Sequence, residues 1–236
     1  PRMRPCAPGL GTNDMFQASF IDGATLAVRQ ILCVGHNYAT HVREMGLSVP
    51  SVPAVFMKPL GTLIQDGGCV ALPRVSAEVH HELELVVLIG KGGKRIHPEH
   101  ALDHVVGYGV GIDVTARDIQ REAKSSGAPW TVAKGFDTFA PISAFVPPHR
   151  IPDPGAIAFA LEVNGAVRQR GSSSDMLFTL AELITYLSSI FTLQPGDLIF
   201  TGTPSGVGPL KRGDRLRAWI EPGVPELRVS VGDGAL

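Results

Sequence analysis

Short runs of valine, isoleucine, leucine and phenylalanine alternate with glycine- and proline-rich breaks along most of the chain. The sequence contains 27 glycines and 19 prolines, and breaks this frequent favour many short strands over long helices. Residues 161–163 and 166–168 flank Asn164-Gly165, a pair that readily adopts the positive φ angles of a type I′ turn, which predicts a β-hairpin. The hydrophobic pattern therefore predicts a mainly β fold.

One segment, from Thr179 to Phe191, has helical periodicity instead. Its apolar residues recur at intervals of three and four, at Leu180, Leu183, Ile184, Leu187 and Phe191. Thr179 is well suited to cap the N-terminus of such a helix. We predict an amphipathic helix that packs its apolar face on the core.

The composition is that of a folded globular chain of 236 residues, with 44% hydrophobic and 18% charged residues. This excludes a disordered chain, and no apolar run is long enough to span a bilayer. We find no internal repeat or low-complexity linker. We therefore expect a single domain over residues 27–236, preceded by a partly irregular extension over residues 1–26.

Charge and cysteine content limit the partners and the cellular compartment that we expect for the protein. The 21 basic and 22 acidic side chains give a formal net charge of -1, so no long-range field favours nucleic acid or an anionic membrane. Cys6, Cys33 and Cys69 are odd in number and lack C-x-x-C spacing, which predicts reduced thiols. We expect a cytoplasmic protein with a small-molecule ligand and neither a nucleic-acid nor a membrane partner.

Two glutamates open an apolar segment and are candidate ligands of a cation. Residues two apart on a strand share a face, which places the Cα atoms of Glu82 and Glu84 roughly 6.6 Å apart. Taken alone, the pair fits an edge strand with an acidic face in water better than a metal site. Asp113 changes this balance, because it ends a glycine-rich run and adds a third carboxylate at a strand end. Oxygen ligands alone select hard cations such as Mg²⁺ or Mn²⁺ rather than zinc.

Five segments, in this order, resemble the fumarylacetoacetate hydrolase family. They lie at residues 33–44, 82–84, 113–118, 130–134 and 201–204, and the resemblance extends from Ile31 to Val231. It is strongest to the branch of acylpyruvate hydrolases and oxaloacetate decarboxylases. The resemblance implies a mixed β-sandwich roll with a few short helices (an α+β fold that is mainly β) and a homodimer.

The resemblance also implies a role for each matching residue. The metal ligands would be Glu82, Glu84 and Asp113, and the substrate contacts would be Arg117, Gln120 and Thr203. The catalytic residues would be Lys134 and a dyad of His41 and Glu44 on a mobile lid. His36 departs from the family pattern, because relatives often carry Arg or Lys at that position.

His41 and Glu44 are three residues apart, so on a helix they lie on one face. Taken alone, this spacing fits a solvated surface helix with an incidental ion pair, and the family resemblance favours a catalytic pair. A carboxylate beside an imidazole raises its basicity, which suits a general base that takes a proton from water. The expected activity is hydrolysis or lysis of a C–C bond in a small 2-oxo acid, by acylpyruvate hydrolysis or oxaloacetate decarboxylation through a metal-bound enolate. An isomerase or hydratase of 2-hydroxymuconate-type diacids is the alternative enzyme, and a non-catalytic binding protein on this fold is the alternative of another class.

Overall fold

The structure, a computed structural model, describes residues 15–44 and 48–233, and strands dominate it. The strands are β1 Gln17–Ser19, β2 Thr25–Ala27, β3 Ile31–Gly35, β4 Ala54–Lys58, β5 Leu63–Ile64, β6 Cys69–Leu72, β7 Val79–His81, β8 Leu83–Ile89, β9 Val105–Ile112, β10 Thr115–Ala116, β11 Ala140–Pro141, β12 Ala158–Val163, β13 Ala166–Ser172, β14 Leu198–Phe200, β15 Gly208–Pro209, β16 Arg215–Ile220 and β17 Glu226–Asp233. The prediction of a mainly β fold is confirmed.

The helices are short. The α-helices are α1 Ala39–Glu44, α2 Arg117–Ser126, α3 Thr131–Lys134 and α4 Leu180–Ile190, and 3₁₀ turns lie at Leu60–Thr62, Pro98–His104, Pro148–Arg150, Pro154–Ala156 and Ser173–Asp175. None of the described helices combines the length and apolar character required to cross a bilayer.

Two five-stranded sheets form the body of the domain. One has the strand order β4-β3-β14-β8-β9 and the other has the order β13-β12-β16-β17-β6. In the first sheet, β14 runs parallel to β3 and antiparallel to β8, and β8 pairs with β9 in a register that sets Leu83 opposite Ile112. Three smaller sheets complete the fold, and one of them joins β10, β7 and β15.

The core lies on both faces of the first sheet. Leu85 and Val87 of β8 belong to the cluster that packs against the second sheet and α4, whereas Val86 and Leu88 belong to a cluster on the opposite face. All seven residues of β8 are buried. An uninterrupted apolar run is the expected sequence of a strand that is covered on both sides, so the alternative of an exposed edge strand for this segment is wrong.

The predicted hairpin and helix are both confirmed. Strands β12 and β13 pair antiparallel around Asn164 and Gly165, whose φ angles are 55° and 79°. Helix α4 covers Leu180–Ile190, and Thr179 caps it in a reciprocal pair of hydrogen bonds with Glu182. This arrangement satisfies backbone donors that the first turn of a helix otherwise leaves free.

The N-terminal part of the described chain is integrated into the fold. Strands β1 and β2 form an antiparallel pair, and Ala18 and Val28 are fully buried with the second core cluster. Strand β2 spans the boundary that we predicted near residue 27, and that division stays a prediction.

Cys69 is disulfide-bonded, which corrects the expectation of three reduced thiols and removes their support for a cytoplasmic location.

Candidate functional site

Three carboxylates meet where β8 and β9 pair. Glu82 directly precedes β8, Glu84 lies within it opposite Gly111, and Asp113 directly follows β9. The Asp113 backbone N–H donates to the Glu82 carbonyl oxygen at 2.8 Å, which fixes the two strand ends side by side. One carboxylate oxygen from each residue lies within 4.8 Å of the others, and all three residues are buried.

Glu82 is held by two cations. Lys134 Nζ donates to Glu82 Oε2 at 2.7 Å, and Arg117 Nη2 donates to Glu82 Oε1. Burial acts to raise the pKa of this carboxyl, but the positive charges of Lys134 and Arg117 outweigh it and hold the pKa well below its usual range. Glu82 is therefore ionised in the folded protein at neutral pH.

Asp113 also lies between two cations. Lys58 Nζ donates to Asp113 Oδ1 at 2.6 Å and to the Val114 carbonyl oxygen at 3.1 Å, and Lys134 Nζ donates to Asp113 Oδ2. Burial lowers the pKa of Lys134, yet Asp113 and Glu82 more than compensate, so that this pKa is raised. Lys134 is thus a fixed cation that bridges two of the three carboxylates.

Glu84 is different, because it forms no ion pair within the described residues. Its Oε2 accepts a hydrogen bond from the backbone N–H of Gly202 at 2.8 Å. Burial, followed by the negative charges of Asp113 and Glu82, raises the pKa of Glu84 well above its ordinary value. A buried carboxylate that faces two others requires a proton or a cation, and a set of oxygen ligands suits a hard divalent ion. These residues fit the metal that the sequence predicts.

The carboxylates open into a pocket with about 350 Å³ of empty space, part of it continuous with solvent. The pocket gathers all of the predicted metal and substrate residues together with Lys134: Glu82, Glu84, Asp113, Arg117, Gln120, Lys134 and Thr203. His36, Phe56, Lys124 and Trp130 complete much of its wall. The roles assigned to these residues stay predictions, but their juxtaposition is a feature of the structure.

Helix α2 positions the predicted substrate contacts. Arg117 and Gln120 are three residues apart, so both side chains leave the same face of the helix, and both are buried. Arg117 Nη1 donates to Gln120 Oε1 at 2.6 Å. A left-handed Gly127 ends the helix with a φ of 70°. The guanidinium is therefore held at the wall of the pocket by Glu82 and Gln120.

The loop after β14 forms the opposite wall. Thr203 is buried, and its hydroxyl accepts a hydrogen bond from Gln169 Nε2 at 2.9 Å. Gly202 has a φ of 100°, and a Cβ at this position would lie 2.8 Å from the Cβ of Asn37. Only glycine fits there without strain, and the N–H that holds Glu84 depends on this backbone conformation.

The proposed lid dyad lies on helix α1. Glu44 is the last described residue of the helix and is exposed. The side chain of His41 lies outside the described residues, although its backbone is part of α1. The dyad therefore stays a prediction.

Two polar residues that sequence reasoning missed support the site. Lys58 is buried at the end of β4, and Gln169 is buried on β13. Gln169 Oε1 accepts from the Leu83 backbone N–H and contacts His81 Nδ1, both at 2.9 Å, while its Nε2 also donates to the Pro204 carbonyl oxygen at 3.0 Å. Lys58 follows an apolar run, which weakly indicated that it is buried. Gln169 lies among exposed residues, so nothing in the sequence around it indicated burial.

Comparison with known proteins places this chain in a family. The model of the fumarylacetoacetate hydrolase C-terminal domain matches residues 30–232. The chain belongs to the fumarylacetoacetate hydrolase family. The fold class and the resemblance drawn from its motifs are both confirmed.

Named relatives within the family differ in the reaction assigned to them. A mouse protein named mitochondrial oxaloacetate tautomerase FAHD1 is 48% identical over 86% of this chain and 91% of its own length. The crystal structure of fumarylpyruvate hydrolase from Pseudomonas aeruginosa, in complex with Mn²⁺ and pyruvate, has a TM-score of 0.88 at 39% identity and covers 95% of this chain and 98% of that chain. A 5-carboxymethyl-2-hydroxymuconate delta-isomerase from Mycobacterium smegmatis has a TM-score of 0.80 at 38% identity, over 90% of this chain and 82% of that chain. The family is therefore one of enzymes that process oxo acids.

Proposed function

We propose that the protein is a Mg²⁺- or Mn²⁺-dependent enzyme that cleaves a C–C bond in small 2-oxo acids, by acylpyruvate hydrolysis or oxaloacetate decarboxylation. The observation that carries this proposal is the convergence of three buried carboxylates, of which Glu84 has no ion pair among the described residues. The Pseudomonas relative that binds Mn²⁺ and pyruvate supports it, because pyruvate is the product that acylpyruvate hydrolysis releases.

Glu82, Glu84 and Asp113 would hold the metal. When bound, the ion supplies a Lewis acid that stabilises negative charge on the 2-oxo oxygen of the substrate. Lys58 and Lys134 already neutralise part of the charge on Asp113 and Glu82, and the lowered pKa of Glu82 keeps that carboxylate ionised and available as a ligand.

The chain's own side chains account for substrate binding. Arg117 offers a guanidinium at the pocket wall, which binds a carboxylate through charge-assisted hydrogen bonds. Gln120 and the Thr203 hydroxyl supply neutral hydrogen bonds beside it. The Lys134 ammonium remains positive because its pKa is raised, and a fixed cation at this position stabilises the developing enolate oxygen.

The dyad of His41 and Glu44 would act only where water is a reactant. His41 takes a proton from water, the resulting hydroxide attacks the distal carbonyl of an acylpyruvate, and the C–C bond breaks to leave a carboxylic acid and the enolate of pyruvate. Protonation of that enolate at carbon gives pyruvate. Oxaloacetate loses CO₂ to give the same enolate without water, so decarboxylation does not require the base.

Two proton-transfer reactions are the second candidates, because each is the named activity of a relative. The mouse relative is named an oxaloacetate tautomerase and the Mycobacterium relative an isomerase of a hydroxymuconate-type diacid. Both reactions interconvert keto and enol forms, so the same cationic site would serve them. A binding protein without activity is the alternative of another class.

Turnover assays separate these functions. Purified protein is incubated with acetylpyruvate, oxaloacetate or a hydroxymuconate-type diacid in the presence of Mg²⁺, Mn²⁺ or a chelator. We expect metal-dependent cleavage, with hydrolysis lost and decarboxylation kept in His41→Ala. His149→Ala removes an exposed imidazole outside the pocket and serves as the matched control. Full hydrolytic activity in His41→Ala would refute the assignment of the base, and no turnover of any substrate would support the binding protein.

The assembly and cellular location are also proposals. We propose a homodimer, which analytical ultracentrifugation tests directly: a sedimentation mass of one chain would refute it. We keep the cytoplasmic location as a proposal, although the mouse relative is named as mitochondrial. Imaging of the tagged full-length protein in its own cell tests that location.

A further inference from the structure

Helix α2 presents a third polar side chain to the pocket. Arg117, Gln120 and Lys124 all line the pocket, and their spacing of three and then four residues places them on one face of the helix. Lys124 lies seven residues beyond Arg117, which is about 10 Å further along the axis at ~1.5 Å per residue. Arg117 and Gln120 are buried, whereas Lys124 is exposed. Lys124 therefore occupies the mouth of the same pocket.

Lys124 has no anionic partner within the described part of the chain. Its Nζ lies 5.0 Å from the centroid of the Trp130 ring, and no hydrogen bond or ion pair of this side chain occurs among the described residues. Partial desolvation of the ammonium at the pocket mouth, followed by the positive charge of Arg117, lowers the pKa of Lys124. An anionic ligand between these two cations would relieve their repulsion.

The charges of the site favour a ligand that carries more than one negative charge. The pocket is lined by three carboxylates, of Glu82, Glu84 and Asp113, and by three cations, Arg117, Lys124 and Lys134, while Lys58 pairs with Asp113. With every group ionised, four cations exceed three carboxylates by one, and a divalent ion raises the excess to three positive charges. The enolate of a 2-oxo monoacid carries two negative charges, whereas the enolate of a diacid carries three and balances the site.

An aromatic wall connects the two ends of the pocket. The ring of Phe56 lies 4.9 Å from Lys134 Nζ and 5.5 Å from the ring of Trp130, and Trp130 in turn contacts Lys124. His36 packs edge-on against Trp130, with ring centroids 5.8 Å apart. The pocket thus has a cation at each end and two aromatic rings between them. A carbon chain that bears a carboxylate at each end has the matching chemistry.

We propose that Lys124 binds a second carboxylate at the end of the substrate remote from the metal, and so makes the enzyme selective for acylpyruvates that end in a carboxylate. This inference rests on the proposed function, and it names the class of substrate that the site prefers. Lys124 is a specificity-determining residue in this scheme. It contacts neither the 2-oxo group nor the bond that breaks.

Steady-state kinetics on a matched pair of substrates test the proposal. Succinylpyruvate carries a terminal carboxylate, and pentanoylpyruvate carries an uncharged chain of similar length. For Lys124→Gln we expect the KM for succinylpyruvate to rise about tenfold or more, which is the loss of one charge-assisted hydrogen bond. The KM for pentanoylpyruvate and both kcat values should change by less than about threefold. Lys124→Arg should retain most of the selectivity because it keeps the charge.

The controls distinguish the possible failures. Lys91→Gln removes an exposed ammonium outside the pocket and should leave both substrates unaffected. An equal rise in KM for both substrates, or no change for succinylpyruvate, would overturn the role of Lys124 while leaving the proposed function intact. If wild type turned over neither substrate with Mg²⁺ or Mn²⁺, acylpyruvate hydrolysis and this inference would both be wrong, and oxaloacetate decarboxylation would be tested separately.

Discussion

Replacing Glu84 by glutamine separates two effects of the acidic cluster on stability: the cost of a buried negative charge without metal, and the stabilisation gained when metal binds. The side chain is 2% exposed and forms no ion pair in the described structure, and its Oε2 accepts from the Gly202 N–H. The carboxamide oxygen of glutamine can accept the same hydrogen bond. Glu84→Gln therefore removes one buried negative charge while it keeps the shape and the backbone contact.

Without metal, we expect the variant to be more stable than wild type at alkaline pH. The pKa of Glu84 is raised in the folded chain above its ordinary value of 4.5, so the folded state binds more protons than the unfolded state between these two values. The free energy of unfolding of wild type then falls as pH rises through that window. Glutamine does not titrate, so the stability advantage of the variant should be small near pH 4.5 and largest near pH 8.

With metal, the order should reverse. A ligand at 100 times its Kd stabilises the folded state by about 2.7 kcal/mol. Since 1 kcal/mol shifts the Tm of a chain of this size by roughly 2–4 °C, wild type should gain roughly 5–11 °C. Glu84→Gln loses a charged ligand and should gain less than about 2 °C at the same concentration of metal, because loss of ligand charge weakens binding of a hard cation.

Differential scanning calorimetry measures both effects. Wild type and Glu84→Gln are compared from pH 4.5 to pH 8 in chelator, and then at pH 8 with increasing MgCl₂ or MnCl₂. Glu122→Gln replaces an exposed carboxylate on helix α2 and should behave as wild type. If metal stabilised Glu84→Gln as much as wild type, Glu84 would not be a ligand. If the metal-free variant were less stable than wild type at pH 8, Glu84 would not be an uncompensated charge.

Three further substitutions test the supporting contacts. Lys58→Met removes a buried partner of Asp113 and should lower the free energy of unfolding by roughly 3–5 kcal/mol; a urea titration that gave less than 1 kcal/mol would contradict this. Gln169→Leu leaves the buried Leu83 N–H unpaired, so we expect the free energy of unfolding to fall by about 1–3 kcal/mol. The KM should also rise, and an unchanged KM would show that Gln169 does not position the substrate-binding loop. Gly202→Ala places a methyl group where φ is 100° and should lower the Tm and weaken metal binding, whereas wild-type values for both would show that the loop adapts.

The sequence predicted part of this site because local geometry determined it. Period-two alternation requires Glu82 and Glu84 to leave the same face of a strand, and they do. The alternative of an exposed edge strand failed because β8 has neighbours on both sides, which a single segment does not reveal. Asp113 joins the pair through the register that sets Leu83 opposite Ile112. A strand's partner and register depend on the whole sheet, so the place of Asp113 at a strand end suggested this meeting and the family resemblance supported it, but neither gave the register.

For the same reason, the sequence could not predict which carboxylates of the site pair with a cation. Lys58 reaches Asp113 across 55 positions of the chain, and Lys134 reaches it across 21, so no local pattern indicated which carboxylate lacks a cation. The outcome is asymmetric: Asp113 is compensated within the fold, whereas Glu84 is not. The chain can therefore fold before metal binds by keeping Glu84 protonated, since a neutral buried carboxyl costs far less than a charged one. Metal binding must then release that proton, which makes metal affinity depend on pH through Glu84.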